Sequence, residues 1–120
     1  MDNKNNMFVE LVELEGEKIA IVRAEGLVIK SAADVLDMMA DVAFGFDCKR
    51  IAISKENVTE EFFDLKTGLA GEILQKYVNY RIKLAIWGDF STYSSKSLRD
   101  FIYESNKGEH VFLCTMMMRQ

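Results

Sequence analysis

A chain of 120 residues with 49% hydrophobic and 28% charged side chains has the size and composition of one folded, soluble domain that buries its core without disulfide or metal support. Its formal charge of -4 and pI near 5.0 argue against sequence-independent nucleic-acid binding, which needs a basic surface to displace counterions from phosphates. No apolar run approaches the roughly 18 residues of a membrane span, and the polar start Met1-Asp-Asn-Lys-Asn-Asn has no apolar leader, so the expected location is the cytoplasm, with residues 1–6 a disordered tail.

Met7 to Leu14 reads as a strand, Glu15-Gly16-Glu17 as a turn and Lys18 to Arg23 as a second strand, so the chain opens with a hairpin ended by Glu25-Gly26. Ser31 caps a first helix with Asp34 at its third position, and Val35, Leu36, Met38, Met39, Val42 and Phe46 supply an apolar face up to Gly45. Arg50 to Ser54 is the third strand. Thr59-Glu60-Glu61 opens a helical segment, with a short turn through Phe62-Phe63 before a main helix from Lys66 to Asn79. Lys83 to Trp87 is the fourth strand, Ser95 to Asn106 the third helix, Lys107-Gly108 its stop, and His110 to Leu113 the last strand. Met116-Met-Met118 reads as an apolar tail covering a hydrophobic edge. With no proline in the chain, no proline isomerisation is expected to slow folding.

The inner strands share the triplets Ile19-Ala-Ile21, Ile51-Ala-Ile53 and Leu84-Ala-Ile86. Alternation of side chains between faces places the large aliphatics on one side, facing helices, and Ala20, Val22, Ala52, Ala85, Trp87 and Phe112 on the other. A sheet wound steadily in one direction leaves that alanine face open for a second copy of the chain. Helices on both faces, with alanine allowing close packing, are the other arrangement these triplets permit.

In a parallel sheet the carboxyl ends of the strands gather binding residues. Here that pole collects Lys55, Glu56 and Asn57 after the third strand, and Gly88, Asp89, Ser91, Ser94, Ser95 and Lys96 after the fourth. A small-molecule or anion site there would use Lys55, Asn57, Asp89 and Ser95, although loop polarity and helix capping account for the same residue types. Lys66-Thr67-Gly68 lacks the glycines of a nucleotide P-loop. Gly68 and Gly71 inside a helical pattern suggest close approach of a neighbouring backbone. His110 is the only histidine and no serine stands in triad order with it. Glu60, Glu61 and Asp64 read as favourable charges at a helix start. Cys48 and Cys114 fall at opposite poles, as reduced thiols rather than a disulfide or a metal site with His110. No metal and no cofactor is expected.

Phe62-Phe63-Asp64-Leu65-Lys66-Thr67-Gly68-Leu69-Ala70-Gly71-Glu72-Ile73-Leu74, Val78-Asn79-Tyr80-Arg81 and the segment from Ser95 to Asn106 resemble an uncharacterised prokaryotic family, one of the numbered domains of unknown function. The order hairpin, helix, strand, helix, strand, helix, strand more loosely resembles STAS domains of the anti-sigma-factor-antagonist type. In those switches the serine before the glycine of an Asp-Ser-Ser-Gly motif is phosphorylated. The resemblance places Thr67, before Gly68, at that position, although Asp64-Leu-Lys-Thr-Gly68 has one extra residue and neither serine. It implies a single STAS-like α/β domain over residues 1–120, with a mostly parallel five-stranded sheet and three main helices. It further implies a non-enzymatic protein-interaction or signalling module; the alanine face adds a homodimer, and the acidic charge and lack of a long apolar run leave no nucleic-acid or membrane partner expected. Its contact surface would comprise the second-helix start and the side of the third helix bearing Lys96, Arg99, Asp100 and Tyr103.

Overall fold

The structure, a computed structural model, describes residues 7–91, 93, 95–108 and 110–114; the expected N-terminal tail, Ser94 and the Met116-Met-Met118 tail lie outside this set. Strands β1 (Phe8–Leu14), β2 (Glu17–Arg23), β3 (Arg50–Ser54), β4 (Lys83–Trp87) and β5 (Val111–Cys114) form one mixed sheet in sequence order. β1 runs antiparallel to β2, across a turn in which Glu15 and Gly16 both take positive φ. The remaining pairs are parallel. Helices α1 (Ala32–Met38), α2 (Leu69–Tyr80) and α3 (Lys96–Lys107) form the crossovers.

Local chemistry explains the helix starts. The Ser31 hydroxyl accepts the Asp34 N–H, and the Asp34 carboxylate reaches back to the Lys30 N–H at 2.8 Å, a shortened form of the reciprocal cap. α1 continues into a π-helical stretch, Met39–Phe44. The wider turn carries Met38, Met39, Val42 and Ala43 into the core but leaves Leu36, Phe44 and Phe46 exposed, so Phe46 does not join the apolar face expected of it.

α2 starts three residues later than the apolar pattern indicates. Three 3-10 turns, Lys55–Asn57, Glu60–Phe63 and Leu65–Thr67, occupy the chain after β3, and Gly68 at φ 80° separates the last of them from α2. This left-handed conformation, not close approach of a neighbour, accounts for Gly68. A side chain at Gly71 would likewise meet nothing within 4 Å, which overturns the close-packing explanation of both glycines.

The parallel register sorts the sheet faces differently from the triplets. Ala20 stands beside Ile51, Leu84 and Val111, and Val22 beside Ile53, Ile86 and Leu113. These eight belong to one buried cluster with Val35, Met38 and Met39 from the α1 segment, Ala70, Ile73 and Tyr77 from α2, and Leu98 from α3. All three helices therefore cover one face, as right-handed crossovers in a steadily wound sheet require. Ile19 and Ile21 point to the other face with Ala52 and Ala85, because β2 is offset by one residue from the alignment its triplet suggests. Ala20 and Val22 leave the expected alanine face, on which Ile21 and Ala52 are buried and Ile19, Ala85 and Trp87 half-buried. The side chain of Phe112 lies outside the described set.

Tyr77 is fully buried, its hydroxyl 3.9 Å from the Met38 sulfur, and burial raises its pKa. At the β5 edge the Asn106 side-chain amide binds both outward backbone groups of Leu113, accepting its N–H at 2.9 Å and donating to its carbonyl at 3.1 Å.

Candidate functional site

The carboxyl pole of the parallel strands is built around one lysine. Lys55 follows β3 directly, and its stem crosses Gly88 at the end of β4 so closely that a Cβ there would lie 2.5 Å from the Lys55 Cδ. Glycine is required by that crossing. With 13% of its side chain exposed, Lys55 sets its ammonium 5.9 Å from the Phe63 ring centre and 5.3 Å from that of Tyr93, and 4.0 Å from a Glu60 carboxylate oxygen. The Tyr93 hydroxyl donates to the same carboxylate, 2.9 and 3.1 Å from its two oxygens. Burial, then the hydrogen bond and charge of Glu60, raise the Tyr93 pKa, so the phenol stays protonated and holds the carboxylate in place. Phe62, Phe63, Phe90 and Phe101 extend the aromatic cluster, with ring centres between 5.0 and 6.4 Å apart. A desolvated cation between two rings is worth about 1–2 kcal/mol, and this one ties the loop after β4 to the turn after β3.

The residues expected at this pole divide between scaffold and surface. Asn57 is buried, and its amide donates to the carbonyls of Ala24 at 3.0 Å and Gly26 at 2.7 Å. Its backbone carbonyl accepts from the Val28 and Ile29 N–H groups, so side chain and backbone together pin the segment between β2 and α1, and both side-chain donors are consumed. Ser95 caps α3 by accepting the Leu98 N–H at 3.1 Å. Asp89 is exposed and accepts from the Ser91 hydroxyl at 2.6 Å and the Ser91 N–H at 2.9 Å; these bonds, and then the Lys55 charge, hold its carboxyl below the ordinary range. Lys96 pairs with Asp100 at 2.9 Å on the exposed side of α3, where Arg99 also stands and where Tyr103, 64% exposed, lies under the Lys107 ammonium. Leu98 is buried and Phe101 and Ile102 pack on the core, as the helical spacing predicts.

Thr67 closes the last 3-10 turn. Its hydroxyl lies 2.8 Å from the Glu61 carbonyl and 2.9 Å from the Asp64 carbonyl, sharing its one proton between them, and accepts the Leu69 N–H at 3.2 Å. The start of α2 and the start of α3 meet across a groove of about 500 Å³ lined by Asp64, Leu65, Lys66, Ser95 and Ser97. It adjoins a second recess of about 520 Å³ that shares Asp64, Leu65 and Ser95 and reaches Phe63 and Tyr93.

Sequence reasoning identified Lys55 but missed its partners Glu60, Phe63 and Tyr93. The available signal was aromatic residues standing in otherwise polar loops, at Phe62-Phe63, Phe90 and Tyr93. Cys48 is a buried free thiol, and no group of three His, Cys, Asp or Glu side chains suited to a metal ion occurs among the described residues. No helix among them is long and apolar enough to cross a membrane.

The chain belongs to the family described as Domain of unknown function (DUF4180), which it matches over residues 14–119. No curated protein matches it, and no solved structure does.

Proposed function

We propose that this domain is a non-enzymatic, STAS-like interaction module that receives a segment of a partner protein in the groove between the starts of α2 and α3. The observation that carries this reading is contiguity: Asp64, Leu65 and Lys66, ahead of α2, and Ser95 and Ser97, on α3, line one open depression. The second-helix start, assigned to partner contact from the sequence, thus adjoins the first turn of α3, whereas Lys96, Arg99, Asp100 and Tyr103 do not line this depression. Element order and the placement of all three helices on one face of a sequentially ordered sheet support the likeness to STAS domains. A ligand-binding site at the same pole, the competing reading, needs uncommitted donors, and those of Asn57 and Tyr93 serve the fold.

In this reading Thr67 is the regulatory position. A phosphoryl group there removes the proton held between the Glu61 and Asp64 carbonyls and adds close to two negative charges, opening the turn that borders the groove.

The test uses wild-type protein and Ser97→Arg as baits in native lysate, with captured proteins identified by mass spectrometry and remeasured in purified form. Ser97 is exposed on α3, so the variant fills the groove without touching the core. A partner bound by wild type and weakened at least about tenfold, roughly 1.4 kcal/mol, by Ser97→Arg is the expected result. Equal binding by both baits would overturn the groove as the contact surface. Intact mass from native cells checks the Thr67 step, which fails if no phosphorylated species is found while the partner is bound.

A further inference from the structure

The opposite pole of the sheet, where β2, β3 and β4 begin, carries a recess of about 390 Å³. Five cationic side chains line it: Lys18 from the start of β2, Lys49 and Arg50 from the start of β3, and Arg81 and Lys83 from the start of β4. Among the described residues two carboxylates, Glu17 and Asp47, line it with them, in a chain that has four more carboxylates than cations overall. One third of the 15 lysines and arginines of the sequence thus surround a single depression.

Several cations elsewhere already have carboxylate partners. Arg23, Lys30, Lys55, Lys96 and Lys107 each have a carboxylate within 4.0 Å. In the recess Arg50 pairs with Glu17 at 3.2 Å and Lys18 donates to the Phe46 carbonyl at 3.4 Å. The side chains of Lys49, Arg81 and Lys83 make no hydrogen bond or ion pair among the described residues. Five cations against two carboxylates in one recess leave an excess of positive charge, whose mutual repulsion a bound anion relieves. Arg81 adds a further cue. It ends α2 at φ 58°, where glycine or asparagine is the residue of least strain, so a long cationic side chain stands at the rim of the recess on a backbone that does not favour it.

We propose that this recess binds a phosphate-bearing small molecule, with Lys49, Arg81 and Lys83 supplying the uncommitted donors and Arg50 the planar one once Glu17 yields. The volume suits a compact anion or the phosphate end of a larger molecule, and guanidinium and ammonium groups together match phosphoryl oxygens in charge and geometry.

The experiment compares wild type with Arg81→Gly/Lys49→Ser/Lys83→Thr. Glycine suits the backbone at position 81, and Lys49 and Lys83 lie outside the buried core, so the variant keeps its fold. Melting temperature and backbone amide chemical shifts are followed against pyrophosphate, inorganic phosphate and a nucleoside triphosphate, at ionic strength matched with chloride. Wild type is expected to gain melting temperature and to shift at residues 47–50 and 81–83, with affinity falling at least about tenfold in the triple variant. Selective response to the triphosphate identifies a nucleotide-like ligand, and equal response to all three identifies the phosphate group alone. No saturable response in wild type up to about 10 mM anion, or the same response in wild type and variant, overturns the proposal.

Discussion

The two ends of the parallel strands show opposite uses of charge. At the carboxyl end Lys55, Glu60, Tyr93, Asn57, Asp89 and Ser95 are bound to one another or to the backbone, so polar groups there hold loops together. At the amino end the side chains of Lys49, Arg81 and Lys83 make no hydrogen bond or ion pair among the described residues. Topology directs attention to the first end, yet in this molecule that end is the better-satisfied scaffold, and the unsatisfied electrostatics lie at the other. A polar residue signals a ligand only if the fold has not already consumed its hydrogen bonds.

If this contrast is correct, substitutions at the carboxyl pole lower stability and those at the amino pole do not. The largest loss is expected for Phe63→Ala, which empties a buried site among Phe62, Phe90, Tyr93 and Lys55. Urea unfolding should show a cost of about 3–5 kcal/mol. A loss below about 1 kcal/mol would mean that the aromatic cluster is a loose surface feature. Asn57→Ala removes two donors from the carbonyls of Ala24 and Gly26 and is expected to cost about 2–3 kcal/mol, with faster amide exchange at Val28 and Ile29 as the local sign.

At the amino pole, Arg81→Gly is expected to leave stability unchanged or raise it by up to about 1 kcal/mol, since it relieves both a left-handed non-glycine residue and charge repulsion. A clear loss in thermal unfolding would show that the Arg81 side chain is structural and would erase the contrast. The smallest effect belongs to Asp89. Its folded pKa lies below the ordinary 3.8, so its contribution is present above that value and disappears as pH falls through the lower folded one. The stability gap between wild type and Asp89→Asn should therefore be small, constant near neutrality, and narrow only below about pH 4.

Much of the architecture was readable from local pattern. Strand ends, the Ser31 and Ser95 caps, the inward face of α3 and the mostly parallel α/β order follow from alternation, helical spacing and hydroxyl placement. The β2 register did not follow. Identical Ile-Ala-Ile triplets align in text, but strand offset is set by which side chains meet the helices, and pairing Ala20 with Ile51 moves every residue of β2 to the other face from that assumed. The short turn through Phe62-Phe63 was legible, but the 3-10 turn Leu65–Thr67 was hidden because Leu65 and Leu69 fit helical spacing, whereas the decisive feature is the positive φ of Gly68. Of the site, Lys55 and Asp89 were legible as loop charges at a strand end. The cage around Lys55 was not, since Glu60, Phe63 and Tyr93 meet through tertiary contacts. The basic recess left a trace, because β3 and β4 each begin with a cation and β2 has one at its second position, but only the sheet order brings those beginnings together.

The amide of Asn106 on the outer edge of β5 bears on how such a sheet can grow. An edge strand presents free N–H and carbonyl groups on which another strand can assemble, and a sheet open at both edges can add copies without limit. Here one edge is blocked at Leu113 by a side chain that mimics a strand, while among the described residues no strand pairs with the outer side of β1. Pairing through β1 uses up the open edge of both copies at once, so assembly by strand addition terminates at two chains instead of running on into a fibre.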